Sequence, residues 1–259
     1  MFFPRLHDHS VVVACRKLHY KLPPYLKSNR YFVILTDDVK VRLVIGVLSN
    51  DAARRQAIRE TWGKNVLNLY FVVAGDYDKI RQEFFKYSDL IWIDMEEDLF
   101  LKTGSTLAIV QRHVRNYDYV LKTEDDSYIN IPVLLHELLP GGEAREHDYF
   151  GHCKENYTNA QPENQTASYC HGAGYILSPK FLKCIGEKVP HLRHYGSGDV
   201  AVGWLAKQCG VAAASPSSAS EYKWQLNVGV ETNLTGKILR HPVSELQEMK
   251  ALHETIVAE

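Results

Sequence analysis

The sequence predicts an α/β fold, with a mostly parallel central sheet flanked by helices on both faces, in a single domain of residues 41–259 behind an N-terminal extension or stem of residues 1–40. Three observations carry that prediction. Short apolar, β-branched runs recur at Arg42–Leu48, Leu69–Val73, Leu90–Ile93 and Tyr117–Thr123, as strands covered on both faces do. Segments of helical length separate them in regular alternation, the pattern of parallel strands joined by crossover helices. The 259 residues, 45% hydrophobic and 24% charged, suffice for one large core.

Taken in order, the chain opens irregularly from Met1 to about Asn29, with Pro23 and Pro24 breaking any regular element. Arg42–Leu48 is a strand, and Ser49-Asn50-Asp51 supplies turn and N-cap chemistry for a helix over Asp51–Trp62. Ala53, Ala57, Ile58, Thr61 and Trp62 fall on one face of that helix and Arg54, Arg55 and Arg59 elsewhere. Either the arginines form a solvated side, or the helix N-terminus and an arginine face an anionic ligand at the strand edge. Leu69–Val73 is a strand closed by Ala74-Gly75, Asp78–Tyr87 a helix, Leu90–Ile93 a strand, and Leu101–Val114 a helix leading into the strand before Glu124. Pro132 opens a helix to Leu139 that Pro140-Gly141-Gly142 ends.

The alternation then fades. Cys153–Cys170 reads as a long polar loop covering a cleft. In the following His171–Pro179, Gly172 and Gly174 permit either a ligand's close approach or a tight start to a strand. A helix to about Lys188 comes next, and Asp199 opens an apolar helix to Cys209. Ala212–Ser220 reads as a loop, Trp224–Val230 as a short strand and Ser244–Val257 as a closing amphipathic helix.

Thirty Lys and Arg against 31 Asp and Glu leave a net charge of -1, so no global field draws the chain to nucleic acid or to an anionic membrane. Any anionic ligand needs a local site. No apolar run is long enough to span a bilayer. The five cysteines show no zinc or redox spacing, and the expected pairs are Cys153 with Cys170 and Cys184 with Cys209, leaving Cys15 free. Sequons at Asn156, Asn164 and Asn233 favour an oxidising, lumenal or secreted setting for a glycoprotein.

The chemistry concentrates at Glu124-Asp125-Asp126, three acids ending an apolar strand. Carboxylates so close repel unless a cation, a basic partner or water relieves them, which suits a hard divalent metal with oxygen ligands. The alternative is a solvated acidic turn capping the next helix. Asp199 is a helix N-cap or a general base held on a rigid helix start. His241 is an ordinary surface or core histidine or a metal ligand. A metal-dependent phosphohydrolase would want a second acidic or histidine cluster, and the sequence has none.

Four blocks resemble, in order, those of glycosyltransferase family 31, which groups β-1,3-galactosyltransferases, β-1,3-N-acetylglucosaminyltransferases and fringe-like enzymes. They are Arg54-Arg55-Gln56-Ala57-Ile58-Arg59-Glu60-Thr61-Trp62-Gly63, Leu121 to Asn130, Gly172 to Ser178, and Gly198-Asp199-Val200-Ala201-Val202-Gly203. The resemblance spans Val41 to Met249 and implies the Rossmann-like GT-A fold and a Golgi-lumen, membrane-associated enzyme of protein glycosylation. It implies an inverting, Mn2+-dependent transferase that moves galactose or an N-acetylhexosamine from a UDP-sugar to a glycan hydroxyl, forming a β-1,3 linkage. The acceptor would sit on a glycoprotein, glycolipid or proteoglycan.

Carried over by position, Asp126 is the last acid of the DxD motif and a metal ligand, with Glu124 and Asp125 on the donor's ribose and sugar. Asp199 is the catalytic base, His241 the C-terminal metal-binding histidine, and Arg54 or Arg59 a charge-assisted contact to the donor. Glu124 replaces the family's usual first Asp, and Gly198 replaces the Glu that usually precedes the base. A non-catalytic relative, binding glycans or chaperoning another transferase, is the alternative; it would keep the fold and shed the metal acids or the base.

Overall fold

The structure, a computed structural model, describes residues 20–22, 34–36, 39–66, 68–96, 98–158, 166–189, 197–215, 224–226, 234, 236–243 and 245–258. Its first half runs β1 (Tyr20–Lys21), β2 (Ile34–Thr36), β3 (Val39–Val41), β4 (Leu43–Leu48), α1 (Ala52–Glu60), β5 (Leu69–Ala74), α2 (Tyr77–Tyr87), β6 (Leu90–Ile93), α3 (Leu99–His113) and β7 (Tyr119–Glu124). The second half is β8 (Tyr128–Ile129), α4 (Ile131–Leu138), β9 (Tyr149–Thr158), β10 (Thr166–Leu177), α5 (Pro179–Lys188), α6 (Gly198–Gln208), β11 (Trp224–Leu226), β12 (Leu239–His241) and α7 (Leu246–Ala258).

The predicted alternation builds the main sheet, whose strand order is β1-β6-β5-β4-β7-β10-β9. Strands β6, β5, β4 and β7 run parallel, and β1, β10 and β9 add antiparallel edges. Because side chains alternate across a strand, the sheet feeds two cores. Ile45, Val47, Phe71 and Leu121 pack with Ile58, Trp62, Phe84, Leu134 and Leu252 on one face. Val44, Leu48, Val72 and Val120 pack with Leu107, Phe181 and Leu205 on the other.

Several expectations change on contact with the fold. Tyr20–Lys21, inside the predicted stem, forms an edge strand on β6, with the Lys21 ammonium 3.3 Å from the centre of the Tyr77 ring. The predicted loop Cys153–Cys170 is largely the β9–β10 hairpin, with Cys153 and Cys170 register partners. Its polarity is that of a hairpin with one wet face, since Ala167 and Tyr169 turn inward onto Val200 and Trp204 of α6. Both expected disulfides are present, Cys153–Cys170 and Cys184–Cys209; Cys15, Asn164 and Asn233 lie outside the described residues, and Asn156 is exposed on β9.

Helix α1 also packs differently from its sequence pattern. Ala53 is exposed and Arg55 is only 2% exposed. Arg55 grips both Glu83 oxygens at 2.9 and 2.6 Å and donates to Ser49 Oγ at 3.0 Å. Burial alone would raise the Glu83 carboxyl, but hydrogen bonds and charge from Arg55, with Arg59 adding, hold it below the usual range. A buried pair broken on one side leaves an uncompensated charge, so Arg55→Ala is expected to cost about 3 kcal/mol in urea unfolding. A depressed folded pKa means that Glu83 stabilises fully above its unfolded value, near ~4.3, and loses this as pH falls through the folded value. Glu83→Gln should therefore flatten the acid limb of stability against pH.

Candidate active site

The ends of β4 and β7 meet at the C-terminal edge of the parallel strands, where Leu48 pairs with Glu124 and where open α/β sheets place ligands. A third element arrives through the small sheet β11-β12-β8. Pairing of β12 with β8, and a 2.7 Å bond from Val243 N–H to the Asp126 carbonyl, carry His241 to Asp126. The small sheet seats against β10 at Gly174, where a Cβ would lie 2.5 Å from the Leu239 side chain.

Glu124, Asp126 and His241 each present one ligand atom, all within 4.8 Å of one another. His241 Nδ1 is 3.2 Å from Asp126 Oδ1 and 3.2 Å from Ser127 Oγ. Burial pushes the Asp126 carboxyl up, but the hydrogen bond and charge of His241, with Arg54 behind them, hold it below its ordinary range. Two carboxylates and an imidazole are a donor set that a divalent first-row cation accepts.

Asp125 points elsewhere and is buried. Its Oδ2 accepts from Ser49 Oγ at 2.8 Å and from Asn50 and Asp51 N–H at 3.2 and 3.3 Å, while Arg54 reaches Oδ1 at 3.3 Å. Asp125 thus pins the β4–α1 turn and brings Arg54 to the acids. Arg59, expected beside them, is not brought there. It is one turn further along α1, bidentate to Asp89 at 2.7 and 2.8 Å, 2.8 Å from Glu83, and 3.9 Å over the Tyr87 ring. Burial would weaken its charge, and these acids more than restore it.

Asp199 lies in the first turn of α6, capped by Ser197. Its Oδ1 accepts from Val200 N–H at 2.9 Å and from the Ser197 hydroxyl, and its Oδ2 accepts from Gly172 N–H at 3.2 Å. The space beside Gly172 is filled by the protein, since a Cβ there would sit 2.9 Å from Glu124 Oε1 and 3.6 Å from Asp199 Oδ2. Gly198 has an equally local cause: a Cβ would fall 2.6 Å from Thr103 Oγ1 and 3.1 Å from the Leu99 carbonyl on α3. Gly198→Glu, restoring the acid usual at that place, is expected to lower stability by about 2 kcal/mol, read by thermal unfolding.

Two neighbours carried no functional signal in the sequence. His171 lies with its ring 5.7 Å from that of His241, and Lys122, 2% exposed, donates to Glu124 Oε1 at 2.8 Å and to the Gly172 carbonyl at 2.6 Å. Lys122 was legible only as a lone charge inside an otherwise apolar strand. A cavity of 580 Å³ lies elsewhere, lined by Leu43, Trp62, Tyr128 and His253. It contains none of these charged groups.

A family model described as galactosyltransferase matches residues 53–217, a segment that holds Arg54, the three acids and Asp199 and ends before His241. UDP-GlcNAc:betaGal beta-1,3-N-acetylglucosaminyltransferase 8 of Homo sapiens is 28% identical over 228 residues, covering 76% of this chain and 56% of that protein. Beta-1,3-galactosyltransferase 1 of Homo sapiens is 26% identical over 208 residues, covering 70% of this chain and 64% of that one. The chain therefore spans between about half and two thirds of the length of these relatives. Among solved structures, galactosyltransferase LgtC with donor and acceptor sugar analogues superposes with a TM-score of 0.46 at 9% identity, over 82% of this chain and 95% of that chain.

Proposed function

Because the chain belongs to the galactosyltransferase family, glycosyltransferase family 31, we propose that it is a metal-dependent, inverting hexosyltransferase. It takes galactose or an N-acetylhexosamine from a UDP-sugar and places it on a hydroxyl of an acceptor glycan, forming a β-1,3 linkage. The observation that carries this reading is the meeting of Glu124, Asp126 and His241 within 4.8 Å, linked through Lys122 and Gly172 to the tethered carboxylate of Asp199.

Asp126 and His241 would hold Mn2+, with Glu124 beside them. When bound, the ion supplies Lewis-acid stabilisation of the charge that gathers on a departing diphosphate. Arg54, fixed by Asp125, adds a cation on the donor side. Asp199 faces the acceptor. Its carboxylate takes the proton of the acceptor hydroxyl as that oxygen attacks the anomeric carbon from the side opposite UDP, and one displacement turns an α-linked donor into a β-linked product.

The bonds from Ser197, Val200 and Gly172 fix the carboxylate before the acceptor arrives, which removes an orientational cost from the reaction. The two disulfides suit the oxidising Golgi lumen. No helix among the described residues is long and apolar enough to cross a membrane. The acceptor's carrier is a glycoprotein, glycolipid or proteoglycan.

The test is a panel of UDP-sugars with Mn2+, scored for UDP release with and without β-linked acceptors. Release that needs both metal and one donor type establishes the transferase and names the sugar. Folded protein that binds no UDP in the presence of Mn2+ would overturn the donor site and favour a glycan-binding or chaperone relative.

A further inference from the structure

We propose that Lys122 is a positioning residue that sets the spacing between the donor and acceptor sides of the site by tying Glu124 and Asp199 to one residue of β10, Gly172. The inference rests on the transferase reading above. Lys122 and Glu124 are two residues apart on β7 and therefore share a face of the sheet. The Lys122 ammonium donates to Glu124 Oε1 at 2.8 Å and to the Gly172 carbonyl at 2.6 Å. Gly172 in turn donates its N–H to Asp199 Oδ2 at 3.2 Å. One residue of β10 thus accepts from the lysine that holds a member of the metal group, and donates to the carboxylate that serves as base.

The energetics favour a fixed tether over an incidental contact. Lys122 is 2% exposed, and a buried ammonium is sustained only by partners of this kind. Hydrogen bonds to a charged group are about twice as strong as neutral ones, so both of its acceptors are held firmly. Gly172 allows no slack, because a Cβ there would come within 2.9 Å of Glu124 Oε1 and 3.5 Å of Lys122 Nζ. The Ser127 and Thr123 hydroxyls hold the next carbonyl, that of Ala173, at 2.9 and 2.6 Å. Of these two carbonyls, that of Gly172 is the one held by Lys122. An inverting displacement needs the base and the leaving group at one separation, and a misplacement of about 1 Å can cost about 10²-fold in rate.

The test uses the full chain, with Lys122→Met, which keeps the unbranched stem one atom shorter and removes its charge, and Gly172→Ala, which crowds the tether with the ammonium intact. Three quantities are read: the Kd of UDP with Mn2+, the ratio of sugar transfer to acceptor-independent UDP release, and hydrogen exchange at the Gly172 amide. The expected result for each variant that folds is a Kd raised by no more than about 100-fold, as for a lost metal-ligand orienter, a transfer-to-hydrolysis ratio at saturating donor and Mn2+ lowered about 10-fold or more, and faster exchange at Gly172 with unchanged exchange at Leu121. A purely structural role would lower both rates in proportion to folded protein and leave the ratio alone. Wild-type turnover with an unaltered ratio and unaltered Gly172 exchange in both variants overturns the positioning role. A folded wild type without metal-dependent UDP release from any donor overturns the transferase reading, and the inference with it.

Discussion

Asp126→Asn is expected to weaken binding of UDP in the presence of Mn2+ by about 10²-fold or more while leaving the fold intact. The magnitude follows from position. Losing a group that merely orients a metal ligand typically costs 10- to 100-fold in metal affinity, and Asp126 supplies a ligand atom to the cluster itself. Asparagine keeps the shape and an oxygen that accepts from His241 Nδ1, now 3.2 Å from Oδ1, but it removes the anionic donor that a hard cation requires. The backbone at this point is held independently by the Val243 N–H bond to the Asp126 carbonyl, 2.7 Å long. Stability should therefore stay within about 1 kcal/mol of wild type, so lost binding cannot be ascribed to unfolding. Titration calorimetry of UDP with and without Mn2+ reads the effect. His241→Ala should act in the same direction, and wild-type affinity in both variants would remove the metal from this cluster.

Much of this site was legible because it depends on local pattern. The acids of Glu124, Asp125 and Asp126 announce themselves by ending an apolar strand, and that strand does end at the sheet edge where ligands gather. Asp199 opens a helix in either reading, and it lies in the first turn of α6, two residues after the N-cap position Ser197. The misreadings share one cause: contacts between elements distant in sequence. Arg55 and Arg59 are one helical turn apart and indistinguishable by composition, and only Glu83 and Asp89 around α2 decide that both face inward. Ser127 and His241 are 114 residues apart and meet because β12 pairs with β8, a pairing too short to leave a periodic signal. The polar stretch after Cys153 resembled a loop because Lys154 to Tyr157 of β9 are all exposed and register shifts interrupt its pairing with β10, which leaves no period-2 alternation to read. Gly172 and Gly174 permitted a ligand's close approach or a tight strand entry, and their space is filled by Glu124 and Leu239.

Asp199→Asn separates chemistry from binding where Asp126→Asn merges them. The asparagine oxygen still accepts from Gly172 N–H, at the 3.2 Å position that Oδ2 occupies; its NH2 takes the place of Oδ1, where the Ser197 hydroxyl can turn to accept and the bond from Val200 N–H is lost. What disappears is a group able to take a proton, and a general base contributes about 10²- to 10⁴-fold. The expected result is a fall of that size in kcat for transfer with UDP affinity in Mn2+ unchanged, the mark of an interaction made only in the transition state. Transfer at near wild-type rate would require another base, and His171 is the nearest candidate. Its geometry argues against it. Burial, and then the neighbouring His241, pull its pKa down against the opposing pull of Asp199 and Glu124, which makes the ring neutral. Its Nδ1 already accepts from Ala173 N–H at 3.2 Å, so the remaining proton sits on Nε2, and that nitrogen donates. With the imidazole limited to donating, the proton falls to the Asp199 carboxylate, and His171→Asn should therefore leave most of the rate that Asp199→Asn removes.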